Sequence, residues 1–498
     1  MPYNRGITTS VGDSGLGGRR RGARRQLAAL LALGLGGLAP GARAAAPSPA
    51  PWENRFMTAP PAEVLAAAAA VKVPADAPVV ILFEEMVHRY DDARRSEHRY
   101  RQVYKVLTAH GIEGWDQLTG GWAPWYEEKP SLRARVVAPG GHVFTLDPKT
   151  IETSGLSGGD DALYSDRQVV RAPIPGVAVG AVVEVEIAWT ERAPLFEAGT
   201  THRFFFGGSA PVEKARLEID HPAGVRVDHV VRRVAPLVQS LAMTDGQVRE
   251  TFESGPYAAL PEEVPGQPPE TTLPAYVAYT TGASWGAVAA AYADIVDRQI
   301  GKPDLGVYVR EAKQGLDPRR DRDALVGRLL ARLGADVKYT GIEFGEASIV
   351  PRTPAEVLER RYGDCKDKAL LLTALLRAAG IPAEVALLEA GFGPDVDPDV
   401  PGLGGFDHAI VYLPGARPLW IDATDRYSAV GELPLADQGR LALVAARGTK
   451  ALLRTPVAPS AVNLTREARA ITVGEDGKVR VVEVSTLTGS PGHAMRLD

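Results

Sequence analysis

The sequence has a single cysteine in 498 residues, Cys365, so no disulfide can form within the chain. An exported protein is free to use disulfides, and this one must hold its domains together with packed cores alone. The lone thiol is then either a small buried hydrophobe or a reactive group. A basic excess is missing too. Lys and Arg number 56 against 61 Asp and Glu, a formal net charge of −5 spread along the chain, so no nucleic-acid footprint is present and nucleic acid is not expected as a partner. Past the N-terminal segment no run approaches the roughly 18 to 20 apolar residues of a membrane helix, and no stable transmembrane segment is expected. What is present is ordinary globular composition, 45% apolar and 23% charged. At 498 residues the chain exceeds the roughly 250 to 300 at which one core stops growing, so two to four domains are expected.

The N-terminus reads as an export signal over residues 1–44. A basic run (Arg19 to Arg25) precedes an apolar stretch (Leu27 to Leu38), and Ala42-Arg43-Ala44 forms a small-residue cleavage site. The expected location is therefore periplasmic or extracellular. Residues 45–75 read as a linker with a short alanine-rich helix. From 76 to 260 short runs alternate apolar and polar residues, as in VVEVEIAW (Val182 to Trp189), between Pro-Gly, Gly-Gly and Asp-Gly turns, which predicts an antiparallel β-sandwich. A proline-rich linker spans 261–275. A mixed α+β domain occupies 276–445, opening with the face Trp285, Val288, Tyr292, Ile295 and Val296. Over 446–498 the chain alternates again, like a hairpin at the start of a C-terminal β region.

The chemistry concentrates around Cys365. Thr353-Pro354-Ala355-Glu356 is a capping box that starts a helix running to about Arg361, and Asp364 can cap the next. Cys365 then falls in the first turn of a helix running to Ala379, stopped by Gly380 and Pro382. Free backbone N–H groups and the positive end of the helix dipole stabilise a thiolate there, and Lys366 and Lys368 add positive charge nearby. Downstream, Ala383 to Leu388 and Asp407 to Leu413 read as strands, and Pro414-Gly415-Ala416 turns into a third, RPLWIDAT. A loop centred on Gly415 would set His408 directly across from Asp422, with Cβ atoms about 4.5 to 5.5 Å apart. A carboxylate so placed holds an imidazole in one tautomer, as a general base requires. Asp407 should point to the opposite face, and Asp425 lies past the strand. Alone, Cys365 and His408 would be read as a buried hydrophobe and a half-buried strand side chain.

The segment YGDCKDKALLLTALLRAAGIPAEVALL, followed by FDHAIVYL and LWIDAT, resembles the core of the transglutaminase-like superfamily over about Val337 to Asp425. The resemblance implies Cys365 as nucleophile, His408 as base and Asp422 as the residue that orients it. The preceding β region resembles the domain of unknown function common before this core in bacterial envelope proteins, and it implies no activity. Asp407 departs from the asparagine that many relatives carry before the histidine. The fold class expected is thus an N-terminal all-β sandwich, an α+β papain-like transglutaminase core and the start of a C-terminal β region.

The implied chemistry is thioester formation at Cys365 from a protein or peptide amide, resolved by water or by an amine, with cell-envelope partners and no cofactor or metal. The backbone N–H of Cys365 is one oxyanion donor, and Tyr339 is a candidate for the second. A rival reading is a non-catalytic envelope binding or assembly module on the same fold. Two further signals carry less. Asp395, Asp397 and Asp399 alternate like a calcium loop, but Val400 stands where glycine is needed and Phe406 where a bidentate acid is needed. Trp115, Trp122, Trp125 and Tyr126 could form a glycan or peptide platform, although such aromatics usually pack sandwiches.

Overall fold

The computed structural model describes residues 49–74, 77–155, 163–260, 275–317, 320–425, 427 and 429–497. The expected signal segment and residues 261–274 of the linker lie outside them.

The N-terminal region is built on an eight-stranded sheet, in the order Val238–Thr244, Gln247–Ser254, Ala215–Pro222, Val79–Tyr90, Ser96–Val106, Val182–Thr190, Ser131–Val137, Val143–Thr145. All neighbours are antiparallel except Val79–Tyr90 with Ala215–Pro222, which run parallel. Two three-stranded sheets cover one face. One orders Gln117–Trp122, Gln168–Pro173, Glu152–Gly155, and the other orders Thr201–Phe206, Ala275–Thr280, Asp228–Arg232. Strand alternation sorts the core. Val79, Ile81, Tyr104, Val183 and Ile187 point inward against Leu118, Val170, Phe204 and Val277, while Val80, Leu82, Phe83, Val103 and Val182 point to the other face. A bulge between Ile81 and Phe83 shifts the alternation by one, so Glu84 faces inward and Glu85 outward.

The structure fills out one expected segment, whose alanine-rich helix it contains, and moves one domain boundary. Residues 45–75 are more than a linker: helices Pro51–Asn54 and Pro61–Ala70 lay Trp52, Val64 and Ala68 onto the outer face of the large sheet. Strand Ala275–Thr280, expected to open the second domain, pairs with two strands of the first, so that boundary falls after Thr280. It could not be read locally, because its partners lie before the proline-rich stretch.

In the second region helix Cys365–Ala378 packs on a five-stranded antiparallel sheet ordered Leu419–Ile421, His408–Leu413, Glu384–Leu388, Leu441–Val444, Leu453–Arg454. Every residue from Cys365 to Leu376 is buried. A helix buried on all sides is a core element, and each buried leucine contributes about 1.5 to 3 kcal/mol, so the helix start is held rigidly. Helices Trp285–Ile300, Gly306–Lys313, Arg322–Asp336 and Pro354–Arg360 surround it in one apolar cluster. At the C-terminus Leu464–Val473 and Val479–Thr488 form a hairpin paired only with itself among the described residues. Helix Ser490–Leu497 follows it, and His493 Nδ1 lies 2.7 Å from an Asp425 oxygen.

Candidate active site

Local capping places the thiol. The Asp364 carboxylate accepts the Asp367 N–H at 3.1 Å, and the Asp367 carboxylate accepts the Asp364 N–H at 3.4 Å, a reciprocal box that starts the helix at Cys365. Arg352 locks the box by donating Nη1 to Asp367 at 3.0 Å and its backbone N–H at 2.7 Å. Gly363 is required here, since a Cβ on it would lie 2.7 Å from the Asp367 Cβ. Cys365 itself is 5% exposed. As the first helical residue it has no intrahelical carbonyl for its N–H, which leaves that donor for a ligand.

The two lysines do not face the thiol as free charge. Lys366 is buried and ion-paired with Asp364 at 2.5 Å and Glu343 at 2.9 Å, and Lys368 donates to the Val337 carbonyl at 3.2 Å. Their charge supports the cap rather than an external anion.

His408 opens its strand, and its Nε2 lies 3.2 Å from Asp422 Oδ2. The Cys365 thiol also acts on this ring, and Nδ1 is the nitrogen that Asp422 leaves free to face it. Burial alone would drive the proton off this imidazole. The Asp422 carboxylate and the thiol overrule it and hold the pKa well above the ordinary histidine value. Asp422 is buried, which pushes its carboxyl up, but His408 and donors from Thr424 win and hold it below the usual range. Those donors are the Thr424 N–H at 2.7 Å and its hydroxyl at 2.7 and 2.9 Å.

The pairing of His408 with Asp422 is met by a different route from the one expected. The ladder runs Val411 to Ile421, Tyr412 to Trp420 and Leu413 to Leu419, so the turn centres on Ala416, not Gly415. Asp422 lies just past the strand end, and extending the ladder would set it across from Ile410. It reaches His408 on the diagonal.

The other expectations resolve as follows. Tyr339 pairs with Gly363 in a short parallel bridge, and the charges of Cys365 and His408 act on its hydroxyl, so it lies beside the site, half exposed. Asp407 turns away and accepts the Ala390 N–H at 2.7 Å. Asp397 and Asp399 are both paired with Arg232 at 2.9 and 2.6 Å, and Asp395 accepts the Leu441 N–H at 3.0 Å, so this loop clamps the second region to the first. Trp122 and Tyr126 are buried, Trp115 packs on Tyr104, and Trp125 packs against the helical core.

One residue beside the site was missed. Asp437, 1% exposed, brings its carboxyl to the pair, with atoms of His408, Asp422 and Asp437 all within 4.8 Å of one another. That spacing would also admit a cation, but the Asp422 oxygens already have their donors, and the group reads as a hydrogen-bond network. Burial, together with the Asp422 charge, pushes the Asp437 carboxyl up to about 7. Nothing in the sequence marks it, because a short 3-10 turn, Leu435–Asp437, delivers it from outside every strand of the motif.

Comparison with known families agrees with this architecture. Residues 318–399 match the model of the transglutaminase-like superfamily, and residues 92–261 match DUF3857, a domain of unknown function with a solved structure. The second region is transglutaminase-like. The first match includes Cys365 and stops short of His408 and Asp422. Among solved structures, a candidate protease from Parabacteroides distasonis is 14% identical, with 72% of each chain covered and a TM-score of 0.56, which shows a shared fold. A candidate cysteine protease from Cytophaga hutchinsonii is 13% identical, with 79% of this chain and 90% of that one covered, at a TM-score of 0.18. An M1 zinc metallopeptidase from Deinococcus radiodurans is 8% identical over 42% of this chain and 43% of its own, at 0.21. Scores that low carry no structural likeness. No curated protein matches.

Proposed function

We propose that this transglutaminase-like chain is an exported, cysteine-dependent enzyme that takes acyl groups from protein or peptide amides onto Cys365. The observation that carries the reading is His408, bonded to Asp422 and acted on by the Cys365 thiol at a rigid helix start. With a cationic imidazole beside it and a helix start beneath it, the Cys365 sulfur is the nucleophile in its thiolate form. The thiolate attacks the amide carbonyl carbon, and the Cys365 N–H and the Tyr339 hydroxyl receive the developing oxyanion. His408 gives its Nδ1 proton to the departing amine, the C–N bond breaks, and a thioester remains. Water, losing a proton to His408, then releases a carboxylic acid and restores the thiol; an amine in its place yields a new amide. Asp437 holds the proton that lets two buried carboxyl groups sit together, and it donates to Asp422.

The test is intact mass spectrometry of the wild-type chain and Cys365→Ala after acid quench from a glutamine-containing peptide mixture, with iodoacetamide labelling at pH 7 in parallel. An acyl adduct on wild type alone, reversed by hydroxylamine, is expected. No adduct, with a labelling rate unchanged by His408→Ala, would overturn the reading in favour of a binding module.

A further inference from the structure

A β-sandwich packs apolar side chains between its inner faces. The large sheet does so at one end only. Beyond the bulge its inner face carries Glu84 across from Gln102, Met86 across from Tyr100, and His88 across from His98. The next strand adds Val185, Ile187 and Trp189 to the same rows. His202 and Tyr279 of one small sheet close over the His88 row, but the small sheets do not close over the Glu84 and Met86 rows. A cavity of about 900 Å³ remains, with Trp115 and Gly208 on its covering side.

Acids on the two faces of this sheet are treated differently. On the outer face Glu85 meets Arg216 at 3.1 Å and Arg101 at 3.4 Å, Glu186 meets Arg101 at 2.8 Å and Arg133 at 3.0 Å, and Glu184 meets Arg135 at 2.9 Å. On the inner face Glu84 forms no ion pair among the described residues. It accepts the Tyr100 hydroxyl at 2.5 Å, and that hydroxyl accepts the Gln102 amide at 2.8 Å. A partly buried carboxyl given only a neutral donor is a costly group, and it opens onto a space large enough for a ligand.

We propose that this cavity binds a ligand bearing an organic cation on an aliphatic stem, the arginine or lysine side chain of a peptide, with Glu84 as its counter-ion. Met86, Val185 and Ile187 take the stem, and the faces of Tyr100 and Trp115 favour the charge. Without a cation, burial pushes the Glu84 carboxyl up to about 7, and an arriving guanidinium returns it to the carboxylate. The site stands apart from Cys365 and does not depend on turnover.

The test is isothermal titration of the full chain carrying Cys365→Ala with Nα-acetyl-arginine amide and with its neutral near-isostere, Nα-acetyl-citrulline amide. The arginine compound should bind at least tenfold tighter, and Glu84→Gln should erase the difference. Gly208→Trp, which adds a ring where no atom lies within 4 Å of the new Cβ, should block both. Should Glu84→Gln fail to fold, the arginine preference and its loss in Gly208→Trp decide. Equal affinity for the two compounds, no binding of either, or an arginine preference that survives Glu84→Gln overturns the proposal.

Discussion

The chain buries histidine in two settings, and they end in opposite charge states. In the sandwich His88, His98 and His202 crowd together, with ring centroids 3.9 Å apart for the first two and 4.5 Å for His88 and His202. The ring partners of His88 and His98 are hydroxyls, Tyr279 at 2.8 Å and Ser96 at 2.7 Å. Burial pushes His88 and His98 well below the ordinary value and His202 down to about 4, and each ring disfavours charge on its neighbours. In the transglutaminase-like region His408 is largely withdrawn from solvent too, with 15% of its side chain exposed, but it faces the Asp422 carboxylate, which holds its pKa well above the ordinary value. Burial alone therefore does not set the charge of a histidine here. The partner does, and only one setting can serve as an acid and base at neutral pH.

The largest effect is expected from making the second setting resemble the first. Asp422→Asn keeps the shape and removes the anion, so the His408 titration should fall and the turnover rate should drop about 10³- to 10⁴-fold. NMR of the His408 ring and steady-state rates read the two consequences separately. An imidazole still charged at pH 7 in that variant would show that Asp422 is not what holds the proton.

The sandwich has its own balance, and it can be unmasked by acid. A histidine with a lowered folded pKa contributes stability that is complete above about 6.5 and is lost as pH falls toward the folded value. From pH 7 to 5.5 three such rings cost at most about 4 kcal/mol, the limit in which none of them is protonated in the folded state. Glu84 and Glu191, each pushed up to about 7 by burial, act in the opposite sense and regain protons that the unfolded chain does not yet bind. Together they return about 3 kcal/mol over the same window. Hydrogen exchange in strand Ser96–Val106 should therefore vary little with pH in the wild type. In Glu84→Gln/Glu191→Gln the protection should fall by roughly the full histidine contribution. Equal pH slopes in the two proteins would mean that the two glutamates do not titrate in this window, and protection in the double variant that does not fall with pH would mean that the rings are already charged.

The two settings also differ in how far sequence reveals them. Cys365 is legible because a cap, an apolar run and a Gly-Pro stop are all local, and the structure starts its helix at that residue. The turn after Leu413 was placed one residue early, since Pro414-Gly415 looks like the apex while the five residues 414–418 form the loop. The pairing of His408 with Asp422 survived because a one-residue shift of the turn centre moves the partner by two and keeps its face. Lys366 and Lys368 were read as positive charge near the thiol; that Glu343 and Val337 are among their partners could not be read locally, because these come from another segment. His88 and His98 meet across one hairpin on an inward face that alternation predicts, but His202 joins them from a strand more than a hundred residues further on.

Asp437 gives the finest test of the comparison, because it tunes the protonated setting without touching the imidazole in any bond the structure shows. Its Oδ2 is buried beside Asp422 with no donor available, an arrangement satisfied only if Asp437 carries a proton and donates it. Asp437→Asn can still donate through its amide and should keep the rate within about twofold. Asp437→Leu cannot, and loss of one hydrogen bond to the orienting carboxylate, about 1.5 to 3 kcal/mol at a charged group, should lower the rate about tenfold or more. The pH profile separates positioning from packing. Wild type should change slope near pH 7 as Asp437 ionises and adds negative charge beside the pair, while both variants should lack that inflection. A leucine variant with normal rate and an unchanged profile would reduce Asp437 to a buried spectator.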